Sequence, residues 1–143
     1  MKTIIYQLFP RTFTNYNETR QPNGSKEVNG CGKFADITTK ALQTIRDLGV
    51  THVWYTGIIR HATAEYNHPA ITKGKAGSPY AITDYYDVDP DLATDINKRM
   101  AEFESLIRRT HKQGLKAIID FVPNHVSRDY GFHRCRKDIQ ILL

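Results

Sequence analysis

The 143-residue chain is 40% hydrophobic and 24% charged, enough apolar material for one globular domain and a composition that excludes disorder and collagen-like repeats. Its longest apolar runs are of the Ala117-Ile118-Ile119 kind, far short of the ~20 residues a membrane helix needs, so no membrane partner is expected. The net charge of +5 divides into +3 over residues 1–130 (17 Lys and Arg against 14 Asp and Glu) and +2 over the last 13 residues, with no basic stripe for nucleic acid.

The chain opens Met1-Lys2-Thr3-Ile4-Ile5, a charge followed by the apolar stretch of the first segment, Thr3 to Phe9, as in a secretory leader. Gln7 breaks it, and Pro10-Arg11 closes it with no small-residue cleavage site beyond, so it reads as a buried strand and no targeting peptide is expected. That favours the cytoplasm, with a periplasmic or secreted location left open. A helix over about Asp36 to Leu48 places Ile37, Ala41, Ile45 and Leu48 on one stripe. Thr51 to Thr56 forms a second strand. A second helix, about Asp95 to Gln113, carries Ile96, Met100, Phe103 and Ile107, with Thr94 or Asp95 as its cap. A third strand runs from Lys116 to Val122. The three strands are rich in β-branched and aromatic residues and read as buried on both faces of a parallel sheet.

Both helices end on the same punctuation, Leu48-Gly49-Val50 and Gln113-Gly114-Leu115, which puts glycine at the left-handed position after the helix. The repeated unit is therefore strand, helix, short return. The strand-to-helix connections are far longer than the usual ~2 to 6 residues, and they all leave from the C-terminal ends of the strands, the face that carries the site in parallel α/β architectures. The second connection holds Tyr66, Tyr80, Tyr85 and Tyr86, too many aromatics for a disordered linker. Arg108-Arg109 reads as part of a solvated helix face.

Chemistry concentrates where the third strand ends, in Asp120-Phe121-Val122-Pro123-Asn124-His125. Alternation puts Asp120 and Val122 on one side of the strand, and the proline turns the chain so that Asn124 and His125 sit at its mouth. Each residue alone has a structural explanation: a buried partner for Asp120, a turn for Asn124, packing for His125. An acid, an amide and an imidazole within six residues on the loop-bearing face point instead to a site. Asp87-x-Asp89-x-Asp91 begins like a calcium loop, but Leu92 and Lys98 stand where glycine and glutamate are required, so it reads as a polar turn around Pro90. His61, Glu65 and His68 lack zinc spacing and read as loop residues. Cys31 and Cys135 are too far apart in sequence to suggest a zinc motif or a staple. No glycine-rich phosphate loop follows the first strand, which weighs against an unrelated nucleotide-binding α/β protein.

Asp-x-Val-x-Asn-His at the end of a third strand resembles the first signature region of the alpha-amylase family of glycoside hydrolases. Ile5-Tyr6-Gln7-Leu8-Phe9-Pro10-Arg11 resembles the family's opening strand, and Ser78-Pro79-Tyr80 through Asp89-Pro90 resembles the segment before its second helix. The resemblance covers residues 3 to 130 and implies the first three βα units of an incomplete TIM (β/α)8 barrel. It implies an N-terminal portion of the catalytic barrel over 1–130 and leaves 131–143 as an atypical tail, as in a truncated or frame-shifted gene product.

Residue by residue, the resemblance matches Tyr80 to a tyrosine that stacks on the sugar beside the cleaved bond, and His125 to a histidine that hydrogen-bonds the same sugar. Asn124 matches an asparagine whose carbonyl oxygen ligates calcium in many members, and Asp120 an aspartate that supports the site. The family's reaction is retaining hydrolysis or transfer of α-glucosides by two carboxyl groups. These come after the fourth and fifth strands in relatives, so no catalytic carboxylate is assigned to this chain. The expectation is an inactive fragment of a glycosidase acting on an α-glucan or maltooligosaccharide; the alternative is a non-catalytic carbohydrate-binding remnant. An eight-stranded barrel cut to three strands exposes two sheet edges, which implies instability or self-association.

Overall fold

The computed structural model describes residues 2–68, 70 and 72–131. The expected tail, apart from Gly131, lies outside them. Three strands, β1 (Ile5–Leu8), β2 (His52–Tyr55) and β5 (Lys116–Ile119), form a parallel sheet in the order β1-β2-β5. The register pairs Tyr6 with Val53 and Ala117, and Leu8 with Tyr55 and Ile119. Two four-residue helices follow β1, α1 (Pro10–Phe13) and α2 (Lys26–Asn29). The return to β2 runs through α3 (Thr39–Asp47), and the return to β5 through α4 (Arg99–Lys112), which is preceded by short 3₁₀ turns at Pro90–Leu92 and Ile96–Lys98. Among the described residues no helix follows β5, so what stands there is two βα units and a third strand.

The element types are those the sequence predicts, in shorter form, and Gly49 (φ 85°) and Gly114 (φ 74°) end the returns in the left-handed conformation. Thr38 caps α3 through a bond from the Ala41 amide at 3.2 Å. The expected cap of α4 differs: Asp95 accepts from Asn97 and caps the preceding 3₁₀ turn, while Thr94 and Asp95 donate their amides to the Glu102 carboxylate.

The helix faces need correction by part of a turn. Leu48 is 69% exposed, and α3 buries Leu42 and Ile45; Ile96, in the 3₁₀ turn before α4, and Met100 on α4 are exposed, and Leu106 and Thr110 are buried. Leu106 lies one turn before Thr110, whose hydroxyl bonds that of Tyr55 on β2 at 2.6 Å, so the contact with the sheet is centred on that turn. Arg109 is not a solvated residue either, since its guanidinium donates to the carbonyls of Phe34 (2.6 Å) and Ile37 (3.3 Å).

Val53 and Tyr55 of β2 face the helices and join Leu8, Phe34, Ile37, Leu42, Ile45, Leu106 and Leu115 in one apolar layer. Burial pushes the Tyr55 phenol up to about 12. The expectation of strands buried on both faces does not hold. Ile5 is half exposed, and no residue of β5 is fully buried, because the helices cover only one side of the sheet.

The connection after β2 contains an element with no counterpart in the sequence reading. β3 (Ile59–His61) and β4 (Ile82–Val88) pair antiparallel as a second sheet, with irregular register. His61 is therefore a buried strand residue rather than a loop residue.

Candidate functional site

The C-terminal end of the parallel sheet is built on Asp120. Its Oδ1 accepts the Trp54 indole N–H at 2.5 Å and its Oδ2 accepts the Gly57 amide at 3.2 Å. Trp54 and Ile118 are register partners, so Asp120, two residues on, falls on the same side of the sheet as the indole, as alternation requires. Beside it, the Gln7 amide donates to the Thr56 hydroxyl at 2.9 Å. Gly57 has φ 71°, and a Cβ there would stand 2.6 Å from the Phe9 ring, so glycine is required for the chain to pass from β2 into the hairpin.

Beyond Asp120 the chain turns through Pro123 and leaves Asn124 and His125 exposed. Two sets of bonds fasten this segment to the hairpin. The Ser127 amide donates to the Ile82 carbonyl at 2.8 Å, and Gly131 to Thr83 at 3.1 Å. The Tyr85 hydroxyl donates to the Val122 carbonyl and lies 3.5 Å from that of His125. The Tyr85 ring packs against Phe121 and Tyr130, with centroids at 5.8 and 5.7 Å.

Tyr80 is 45% exposed, with its amide on the Ser78 hydroxyl. It precedes the Ile82–Ser127 bond by two residues on one side of that bond, and His125 does so on the other. Both side chains are exposed, and an aromatic ring and an imidazole are groups that can offer stacking and hydrogen bonding to a polyhydroxylated ring. Asn124 offers one amide oxygen. Among the described residues no group of three His, Cys, Asp or Glu side chains could hold a metal. Asn124 would supply one of the six to eight oxygens calcium takes, the rest of which can include backbone and amide carbonyls.

A second structure, absent from the sequence reading, holds the loops together. The polar turn around Pro90 is present as the 3₁₀ turn Pro90–Leu92 capped by Asp89, and Asp87, Asp89 and Asp91 are all buried. Arg11 bonds Asp89 and Asp91, both at 3.1 Å, and Lys26 bonds Asp91 at 2.9 Å and Glu65 at 2.5 Å. Lys33 donates to the Asp91 carbonyl at 2.6 Å. Asp87 receives Arg99 in two bonds, 2.7 and 2.9 Å, and Arg60 at 2.9 Å.

Burial alone would raise the carboxyls of Asp91 and Asp87. The bonded cations outweigh it, Lys26 and Arg11 for Asp91 and Arg99 and Arg60 for Asp87, and hold both below the usual carboxylate range. Arg11 is raised in turn, against the lowering effect of its burial. A cavity of about 400 Å³ opens beside this network with Arg11, Lys26, Glu65 and Lys75 in its walls, and neither Tyr80 nor His125 lines it. The spacing of alternate aspartates around Pro90 was the local signal of this network, since Arg11 and Lys26 lie 65 to 80 residues away from the aspartates they bind.

Residues 7–139 match the family model described as alpha amylase, catalytic domain. Maltase 1 of Drosophila virilis is 32% identical over 131 residues, which cover 92% of this chain and 16% of that protein. The human amino acid transporter heavy chain SLC3A1 is 31% identical over 123 residues, 86% of this chain and 14% of that one. An alpha-amylase structure from Lactobacillus plantarum superposes with a TM-score of 0.64 at 33% identity, over 90% of this chain and 24% of that one. The chain thus spans less than a quarter of the length of these relatives. Among the described residues no helix is long and apolar enough to cross a membrane.

Proposed function

Because the chain belongs to the alpha-amylase family, and forms part of that family's α/β barrel, we propose that it is the N-terminal part of a retaining glycosidase acting on α-glucans, with the catalytic carboxylates outside this chain. The observation that carries the reading is the joint at Ile82–Ser127. It sets Tyr80 and His125 on neighbouring exposed backbones at the C-terminal end of the sheet, the face on which parallel barrels build their sites.

In this reading Tyr80 stacks on one pyranose of a maltooligosaccharide, and His125 hydrogen-bonds its hydroxyls. Asp120 holds the strand end to Trp54 and Gly57. Asn124 would give its amide oxygen to a calcium ion as one of several oxygen ligands, and no step of the reaction is assigned to the ion. The nucleophile and the acid, which the retaining mechanism sets ~5 to 5.5 Å apart, are assigned to no residue here, and the chain alone is read as inactive.

The second reading is a non-catalytic carbohydrate-binding remnant. It is favoured by the exposure of Tyr80 and by a relative named for amino acid transport. Titration of the purified chain with maltoheptaose, with reducing ends assayed in parallel, separates the two. Binding that is lost in Tyr80→Ala, without turnover, supports the remnant. Neither binding nor turnover supports the incomplete enzyme. Release of reducing ends by the chain would overturn both.

A further inference from the structure

We infer that Tyr85 is the positioning residue of the site: its hydroxyl sets the turn that presents Asn124 and His125. This inference rests on the reading of His125 as a sugar-binding group. Three observations support it.

Among the described residues, the segment 121–126 takes part in no backbone hydrogen bond. β5 ends at Ile119, and the next backbone bond belongs to the Ser127 amide. The carbonyls of Val122 and His125 are the first and fourth of a reversal through Pro123 and Asn124. Such reversals are commonly closed by a bond from the fourth amide to the first carbonyl. Here no such bond is present, and the Val122 carbonyl is met by the Tyr85 hydroxyl, with the His125 carbonyl 3.5 Å from the same oxygen. A phenol has one proton to give, so Val122 receives the bond and His125 is drawn in as the longer partner.

The clamp itself is fixed. Tyr85 sits within β4, its ring is flanked by Phe121 and Tyr130, and the next residues of the segment are bonded to Ile82 and Thr83 on the same strand. A rigid aromatic on a strand thus imposes a conformation that the turn lacks the bonds to hold alone. Asp120 anchors the segment on one side and Ser127 on the other, which leaves Tyr85 as the support between them.

The test is Tyr85→Phe in the full chain, which keeps the ring contacts and removes the proton. Expected are displaced imidazole resonances of His125 and a displaced carbonyl resonance of Val122, with melting and the ring resonances of Phe121 and Tyr130 held. Where the unsubstituted chain binds maltoheptaose, the variant's affinity should be about tenfold lower, of the order one hydrogen bond supplies. Incorporation of 3-fluorotyrosine at position 85, which restores a hydroxyl, should return all three. Unchanged His125 and Val122 resonances overturn the proposal. If Tyr85→Phe fails to fold, the unsubstituted chain decides: a slowly exchanging phenolic proton with cross-relaxation to Val122 supports the clamp, and its absence overturns it. If the unsubstituted chain binds no maltoheptaose, sugar binding by this chain fails, while the His125 and Val122 resonances still decide the clamp.

Discussion

Substituting Asp91 by Asn removes one charge from the centre of the ionic network and keeps the shape. Asp91 is 5% exposed, and its two oxygens accept from Lys26 at 2.9 Å and Arg11 at 3.1 Å. An asparagine offers one acceptor and turns an amide donor toward the other cation, so one cation loses one of its two carboxylate partners. Breaking a buried pair in this way costs about 3–5 kcal/mol. Arg11 and Lys26 both retain other acceptors, Asp89 and Glu65, which places the expectation at the lower end. For a chain of this size that lowers the melting midpoint by about 10 °C at pH 7.

The pH dependence identifies the cause. Asp91 is held below its ordinary value in the folded chain by Lys26 and Arg11, against the upward push of burial. Its contribution is therefore fully present above the unfolded value of ~3.9 and is lost as pH falls through the folded value. Melting of the two proteins, followed by far-ultraviolet circular dichroism from pH 7 to pH 2, should show curves that converge in acid. A difference under about 1 kcal/mol at pH 7, the value of an exposed pair, or a difference constant down to pH 2, refutes the assignment of a buried network.

Two further outcomes are expected. Asp120→Asn keeps only one acceptor for the Trp54 indole and the Gly57 amide; a cost of about 1–3 kcal/mol is expected, with a shift in the emission of the only tryptophan, and unchanged emission argues against this anchor. The edges at β1 and β5, with half-exposed Ile5 and Ile119, should make the chain self-associate. Sedimentation should show concentration-dependent species that Ile5→Lys reduces, and a monomer at all concentrations removes the expectation.

The strands and the two long helices were legible because each is a local pattern: a short β-rich run, an amphipathic stripe, a glycine stop. Their faces were less so. The Leu48 and Met100 positions fit a helical stripe as well as Leu42 and Leu106 do, and only packing on β2 chooses between them. The hairpin was illegible because β4 reads Ile-Thr-Asp-Tyr-Tyr-Asp-Val, with polar residues throughout and a partner some twenty residues upstream. The aspartates around Pro90 read only as a polar turn because the cations that bind them lie far away in sequence. Asp120, Asn124 and His125 were found together because they fall within six residues just past one strand end, whereas Tyr85 depends on a contact across 37 residues that no local motif announces.

The ionic network divides the molecule into two tiers with different chemistry of cohesion. Below, the sheet and its helices are joined by apolar contact, which is indifferent to proton concentration. Above, the connections after β1 and β2 are joined to one another by carboxylates from the end of β4 and by cations drawn from five separate places along the chain. The carboxylates of Asp87 and Asp91, held below the usual range by their cations, therefore tie the stability of the upper tier to proton concentration more closely than that of the apolar base. Protonating these aspartates would loosen the loop-bearing face before the sheet beneath it.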